Sequence, residues 1–167
     1  VVRKYGRIDV LVNNAGMGIS GAVENTDEAA ARKIFDLNFF GVLNVTQAVL
    51  PVMRAQGGGT IVNVSSVAAE LAIPFQAFYS ATKSAVSSLS AALRNEVAPF
   101  GIKVTAVLPG DVKTDFTASR EKNAFDDPAY GERADGRCSE KGCAFRFLAP
   151  VERAGRSSRG GRVALRD

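Results

Sequence analysis

The chain has no histidine and no tryptophan, and only two cysteines among 167 residues. Without histidine, imidazole acid–base catalysis and histidine-ligated metals are excluded. Cys138 and Cys143 are too few for a disulfide framework or a four-cysteine zinc site, so no metal is expected. No long uninterrupted apolar run stands out, which argues against a membrane span. The first residues lack the charged region, apolar stretch and cleavage site of a secretion signal. A cytoplasmic setting is the default expectation. The first residue is Val1 rather than methionine, so a fragment is expected.

What is present suits one domain with a sizeable core, at 46% hydrophobic and 23% charged residues. The net charge of +4 sits at one end. Residues 132–167 hold nine Arg or Lys against five Asp or Glu, and the other 131 residues hold twelve of each. The basicity belongs to the tail and says nothing about the body.

The body alternates strand and helix. I-D-V-L-V (8–12) is a short apolar run that ends in N-N-A-G, as a buried parallel strand would. A helix is predicted from about Asn25–Glu28, with Asn25 or Thr26 as cap, to about Gln56, where Gly57-Gly58-Gly59 stops it. Its expected buried stripe is Ile34, Leu37, Gly41, Val45, Ala48 and Val52. T-I-V-N-V (60–64), a helix over about 77–98 and I-K-V-T-A-V (102–107) follow. Strands separated by helices imply a doubly wound α/β fold with a parallel sheet. Past about Ala129 the periodicity fails. Residues 131–167 read as an irregular Arg/Gly-rich tail, too poor in apolar surface to offset its ordering entropy. A nucleic-acid-binding tail and the product of a shifted reading frame are the other readings.

Gly16, Gly18 and Gly21 spell G-x-G-x-x-G after a strand. A dinucleotide fingerprint needs its last glycine in the first turn of a helix and an acid at the end of the next strand. Here the helix starts later and Asp36 lies inside it, so the match is rejected. Asn38 falls on the buried side of the first helix. A buried amide costs about 1–3 kcal/mol if unpaired, so Asn38 either bonds backbone groups in the core or holds water or substrate. Ser65-Ser66 closes one strand and Pro109-Gly110 another, at the rim where ligands of open α/β sheets collect. Tyr79 and Lys83 in Y-S-A-T-K stand at i and i+4, on one helix face. Each signal alone is weak; their convergence on one rim is not.

N-N-A-G (13–16), Asn38, Ser66, Y-S-A-T-K (79–83) and P-G-D-V-K-T (109–114) resemble the short-chain dehydrogenase/reductase family in order and spacing, over about residues 3–125. The resemblance implies a Rossmann-like fold and an oxidoreductase that moves a hydride between NAD or NADP and an alcohol or ketone. It implies Tyr79 as general acid/base, Lys83 as the holder of the nicotinamide ribose, Ser66 on the substrate oxygen and Asn38 anchoring a relay water. Pro109, Gly110, Val112 and Thr114 would hold the nicotinamide end, and Asn14, Ala15 and Gly16 would line the adenosine side and brace the sheet. A free phenol titrates near 10, so work near neutrality must favour its anion by about 4 kcal/mol. An ammonium about 4 Å away contributes about 1 kcal/mol in water and about 4 at an effective dielectric near 20. The pair therefore needs a site closed from solvent.

Set against the family, roughly the first three strand–helix units, with the glycine-rich pyrophosphate turn, are expected to be missing ahead of Val1. The strand at 8–12 is then expected at an exposed apolar edge, with cofactor affinity reduced. The alternative function is a truncated, inactive fragment acting through its helices. Leu71, Ile73, Phe75, Phe116 and Phe125 either wall an apolar pocket or pack loops, and the substrate is not readable. The resemblance implies a homo-oligomer, dimer or tetramer, for the complete enzyme, with no nucleic-acid or membrane partner.

Overall fold

The computed structural model describes residues 1–110 and 121–122. In chain order these form α1 (Val2–Tyr5), β1 (Val10–Asn13), β2 (Ile19–Ser20), α2 (Glu28–Phe35), a π-helical turn (Asp36–Phe40), α3 (Gly41–Ala55), β3 (Gly59–Val64), α4 (Ala77–Val97), β4 (Ile102–Val107) and β5 (Glu121–Lys122). Single 3-10 turns add Val23–Asn25, Val67–Ala69 and Ala98–Phe100. The expected tail at 131–167 lies outside the described residues.

β1, β3 and β4 pair in parallel with β3 in the middle. Their register aligns Leu11, Ile61 and Val104 across the sheet. Successive side chains alternate faces, so these residues and Ile102 meet Val49 and Met53 of α3 and Leu93 and Val97 of α4 in one core cluster. Burying each such side chain contributes about 1.5–3 kcal/mol. Val10, Val12 and Val107 stand on the opposite face, 57%, 56% and 45% exposed. Among the described residues the sheet is thus covered on one face, with β1 and β4 at its edges.

The long helix begins where predicted, but Asp27 is the cap, accepting the Ala30 N–H at 2.7 Å. Its buried line differs from the expected stripe. Ile34, Asn38, Val42, Thr46, Val49 and Met53 are buried, whereas Leu37 and Val45 are exposed. The cause is the π-helical turn, in which the Gly41 N–H bonds to the Asp36 carbonyl five residues back. One extra residue per turn advances the inward face by one position from there on. By length and composition alone the continuous run Glu28–Ala55 would reach across a bilayer, contrary to expectation, although a core helix passes the same test. Here Val49 and Met53 of that run pack on the sheet.

Gln56 ends the run and latches it to the start of the sheet, accepting from Ile8 N at 3.1 Å and donating to Ile8 O at 2.6 Å. Gly59 follows because a Cβ there would lie 2.6 Å from Met53 Sδ. β2 and β5 form a separate two-stranded parallel ribbon, closed by an exposed Lys33–Glu121 ion pair at 2.7 Å. No period announces strands of two residues, and neither was predicted.

Candidate active site

About half of α4 is Ala, Leu, Lys, Arg or Glu, which favour helix, and its inward line is Tyr79, Lys83, Val86, Ser90, Leu93 and Val97. Steps of three and four keep this line on one face. Both polar members at its N-terminal end are nearly inaccessible, Tyr79 at 9% and Lys83 at 5% exposure. The Lys83 ammonium lies 5.8 Å from the Tyr79 ring centroid and donates to the Val64 carbonyl at 2.8 Å. That carbonyl is at the end of β3, so the lysine spans from helix to strand end.

Entry to α4 is strained. Phe75 has φ of 61°, a left-handed conformation that a bulky side chain rarely adopts. Its carbonyl accepts the Gly21 N–H at 2.9 Å, which ties the connection after β2 to the start of α4. Gly18 and Gly21 serve turns and backbone contacts, and the next helix opens only at Glu28. The G-x-G-x-x-G run is therefore no helix-opening phosphate turn.

Asn38 is fully buried. Its Oδ1 accepts from Met17 N at 2.8 Å, and its Nδ2 donates to Met17 O at 2.9 Å and to Thr82 Oγ1 at 3.1 Å. Thr82 Oγ1 in turn donates to Tyr79 O at 2.8 Å. Asn38 thus bonds backbone and side-chain groups of the core. Both amide hydrogens are committed, so the side chain offers a relay water only acceptor capacity. A Cβ on Gly16 would come within 3.2 Å of Asn38 Oδ1 and 3.5 Å of Lys83 Nζ. Glycine thus leaves a space beside the ammonium at the exit of β1.

Ser66 caps the 3-10 turn that follows β3, accepting from Ala68 N at 3.1 Å. That bond leaves the hydroxyl hydrogen available. Ala68 shares a core cluster with Tyr79, which brings the Ser66 turn against the start of α4. The Val67 N–H bonds to Pro109 O at 3.0 Å, so Pro109 and Gly110 join the same rim. Val112 and Thr114 lie outside the described residues, as do Phe116 and Phe125. Of the expected apolar wall, Ile73 packs with the Tyr79 cluster and Leu71 is exposed.

One expected role moves by a residue. Asn14 and Ala15 are exposed and do not brace the core. Asn13, the last residue of β1, does: its Nδ2 donates to Asn63 Oδ1 at 2.8 Å and to Thr46 Oγ1 at 3.1 Å. Asn63 donates to Ser90 Oγ at 2.8 Å, completing a buried polar tie between β1, β3, α3 and α4. Strand alternation explains the shift, since Asn13 faces the helices and Asn14 lies past the strand end. Ser65 adds a second tie, bonding Lys83 O at 3.0 Å and Ser87 Oγ at 2.8 Å. Asn63 and Ser90 were missed, although a polar residue on the inward side of an apolar strand and one on the inward line of α4 are readable signals.

Burial pushes the Lys83 ammonium below the 10.5 of an exposed lysine. The native chain then binds fewer protons at this site than the unfolded chain between the two values, so its stability rises with pH across that interval. Relative to Lys83→Met, the wild-type chain is expected to gain stability as pH rises toward 10.5. Urea unfolding of both proteins at a series of pH values checks this; a difference that is flat or falls with pH would contradict it.

Residues 1–124 match the family model described as short chain dehydrogenase. Among curated proteins, the chain is 51% identical over 120 residues to 3-ketodihydrosphingosine reductase of Bacteroides thetaiotaomicron, covering 72% of this chain and 45% of that protein. Among solved structures, a short-chain dehydrogenase from Streptomyces avermitilis aligns with TM-score 0.74 and 46% identity over 80% of this chain and 50% of its own. A gluconate 5-dehydrogenase from Burkholderia cenocepacia, in complex with NADP and tartrate, aligns with TM-score 0.69 and 36% identity, covering 77% and 49%. The chain spans about half the length of these relatives. The folds agree in a parallel sheet with flanking helices, and proteins of this kind work with NAD or NADP. By sequence and by fold, the chain belongs to the short-chain dehydrogenase/reductase family.

Proposed function

We propose that the protein is an NAD(P)-dependent oxidoreductase interconverting a small alcohol and its carbonyl compound, with Tyr79 moving the proton. The observation that carries this reading is the buried Tyr79–Lys83 pair on one face of α4, beside the space left by Gly16. The residues fit the cofactor there. Lys83 spends one donor on Val64 O and has others for ribose hydroxyls. Tyr79, Lys83, Asn14, Ala15, Gly16, Pro109, Gly110, Val112 and Thr114 would hold NAD or NADP, which supplies or takes the hydride when bound. Ser66 hydrogen-bonds the substrate oxygen, and Tyr79 gives that oxygen its proton in reduction and removes it in oxidation. Asn38 holds the exit of β1 and the Tyr79–Thr82 turn in register.

Fluorescence titration with NADPH and NADH, followed by a panel of ketones and alcohols that includes long-chain ketones, tests the proposal. Saturable binding and turnover are expected; a folded chain that binds neither nucleotide overturns the activity. A second reading is a helix-mediated interaction module without catalysis, and the same titration separates the two. The exposed apolar stripe of Leu37, Phe40 and Val45 further supports a homo-oligomer, dimer or tetramer, formed through the long helices. Light scattering that finds only monomer would remove that part.

A further inference from the structure

We propose that Thr82 is a positioning residue, whose hydroxyl sets the opening turns of α4 and with them the place of the Tyr79 phenol. The inference rests on the oxidoreductase reading above and adds one group to it. Thr82 is wholly buried, and its single hydroxyl hydrogen goes to Tyr79 O at 2.8 Å. Its oxygen can then only accept, and it does so from Asn38 Nδ2 at 3.1 Å. The rest of that amide holds Met17, with Oδ1 accepting from its N–H and Nδ2 donating to its carbonyl. A directed set of hydrogen bonds therefore runs from the exit of β1 through Asn38 and Thr82 to the backbone of Tyr79. Lys83, the next residue, has anchors of its own. Its Nζ donates to Val64 O at 2.8 Å, and its carbonyl accepts from Ser65 Oγ at 3.0 Å. The end of β3 thus holds Lys83, while Thr82 holds Tyr79 from the π-helical turn.

Separate anchors mean that the proton-transferring group can be disturbed without the nucleotide-holding one. Thr82→Val keeps the shape of the side chain but puts a methyl where the hydroxyl stood. That carbon would lie 2.8 Å from Tyr79 O and 3.1 Å from Asn38 Nδ2, whereas carbon contacts settle at about 3.5–4.0 Å. The Tyr79 turn must then shift by several tenths of an ångström. Misplacing a reacting group by about 1 Å costs on the order of 10²-fold in rate, so about tenfold is expected for roughly half that shift. The same helix supplies a matched comparison. Ser90 Oγ donates to Val86 O at 2.7 Å, accepts from Asn63 Nδ2 at 2.8 Å and belongs to a residue only 1% exposed. It repeats the chemistry and burial of Thr82 about 12 Å further along α4, away from the candidate site. Were such hydroxyls only braces of the fold, the two would be interchangeable in their effects.

The test compares wild type, Thr82→Val, Thr82→Ser and Ser90→Ala by steady-state kinetics, nucleotide titration and urea unfolding. It uses NADPH or NADH, whichever binds, and the best ketone or alcohol of the panel above. Thr82→Val is expected to lower kcat about tenfold while the nucleotide Kd stays within about twofold. Thr82→Ser gives up a buried methyl but keeps the hydroxyl, so it should unfold at lower urea than wild type yet retain at least about half of kcat. Ser90→Ala should also unfold at lower urea, with kcat within about twofold of wild type. A Thr82→Val enzyme as fast as wild type, an equal rate loss in Ser90→Ala, or no rescue by serine overturns the proposal. A wild type that turns nothing over sinks the oxidoreductase reading and this role together, whereas an active wild type with an unimpaired Thr82→Val sinks this role alone. Should Thr82→Val fail to fold, Thr82→Ala deletes the same oxygen without crowding and is judged against serine by the same split between rate and affinity.

Discussion

Tyr79→Phe is expected to lower turnover about 10²–10⁴-fold while the fold stays in place, the usual worth of a positioned acid or base. The substitution deletes one oxygen and keeps the ring that packs with Ile19, Ala30, Ile34 and Ala68. Loss of stability should stay within about 1 kcal/mol, the net worth of one hydrogen bond. The rate loss corresponds to about 3–5 kcal/mol of barrier, well above any packing effect. Nucleotide affinity, measured beside the rate, should fall by no more than the one hydrogen bond that Tyr79 gives the cofactor, about 1 kcal/mol, because Lys83 and the rim of Gly16, Pro109 and Gly110 are untouched. Turnover that survives above one tenth of wild type would move the proton transfer to another group.

The second large effect is structural. Asn38→Ala is expected to destabilise the fold by about 3 kcal/mol, read as a shift in urea midpoint at constant m-value. The side chain satisfies both backbone groups of Met17 and meets Thr82. Removing it strands a donor and an acceptor at about 1–3 kcal/mol each. Asn38→Asp separates polarity from shape. One oxygen still accepts from Met17 N, but the other faces the Met17 carbonyl and Thr82 without a hydrogen. Protonation restores a donor, so the folded state raises this carboxyl above the ordinary value near 4. Stability should then fall as pH rises from about 4 through the raised value. A variant as stable as wild type at pH 7 would contradict the buried geometry.

The elements with a strong period were legible and those without were not. The central and final strands of the sheet were read nearly to the residue, because β-branched runs flanked by glycine or proline have few other homes. α4 was read equally well, and its i, i+4 spacing alone puts Tyr79 and Lys83 on one face. The first helix was found, yet its inward line was misplaced from Leu37 onward, since a straight 3.6-residue period has no means of anticipating a π-helical turn. The β2–β5 ribbon escaped because its partners are about a hundred residues apart and its strands are two residues long.

Alternation of strands and helices was enough to determine the α/β class, and the order and spacing of N-N-A-G, Asn38, Ser66, Tyr79, Lys83 and Pro109-Gly110 were enough to determine the family. Spacing constrains which side chains share a local face, and that is a property of one helix or strand. Which groups are spent and which are left is a matter of contacts between elements. Only the tertiary structure could commit both amide hydrogens of Asn38 to Met17 and Thr82, give the bracing role to Asn13 rather than Asn14, and bury Lys83 against Val64 O with Gly16 close beside it. Those outcomes depend on how closely separate segments approach, and desolvation and hydrogen-bond pairing change over a few tenths of a nanometre.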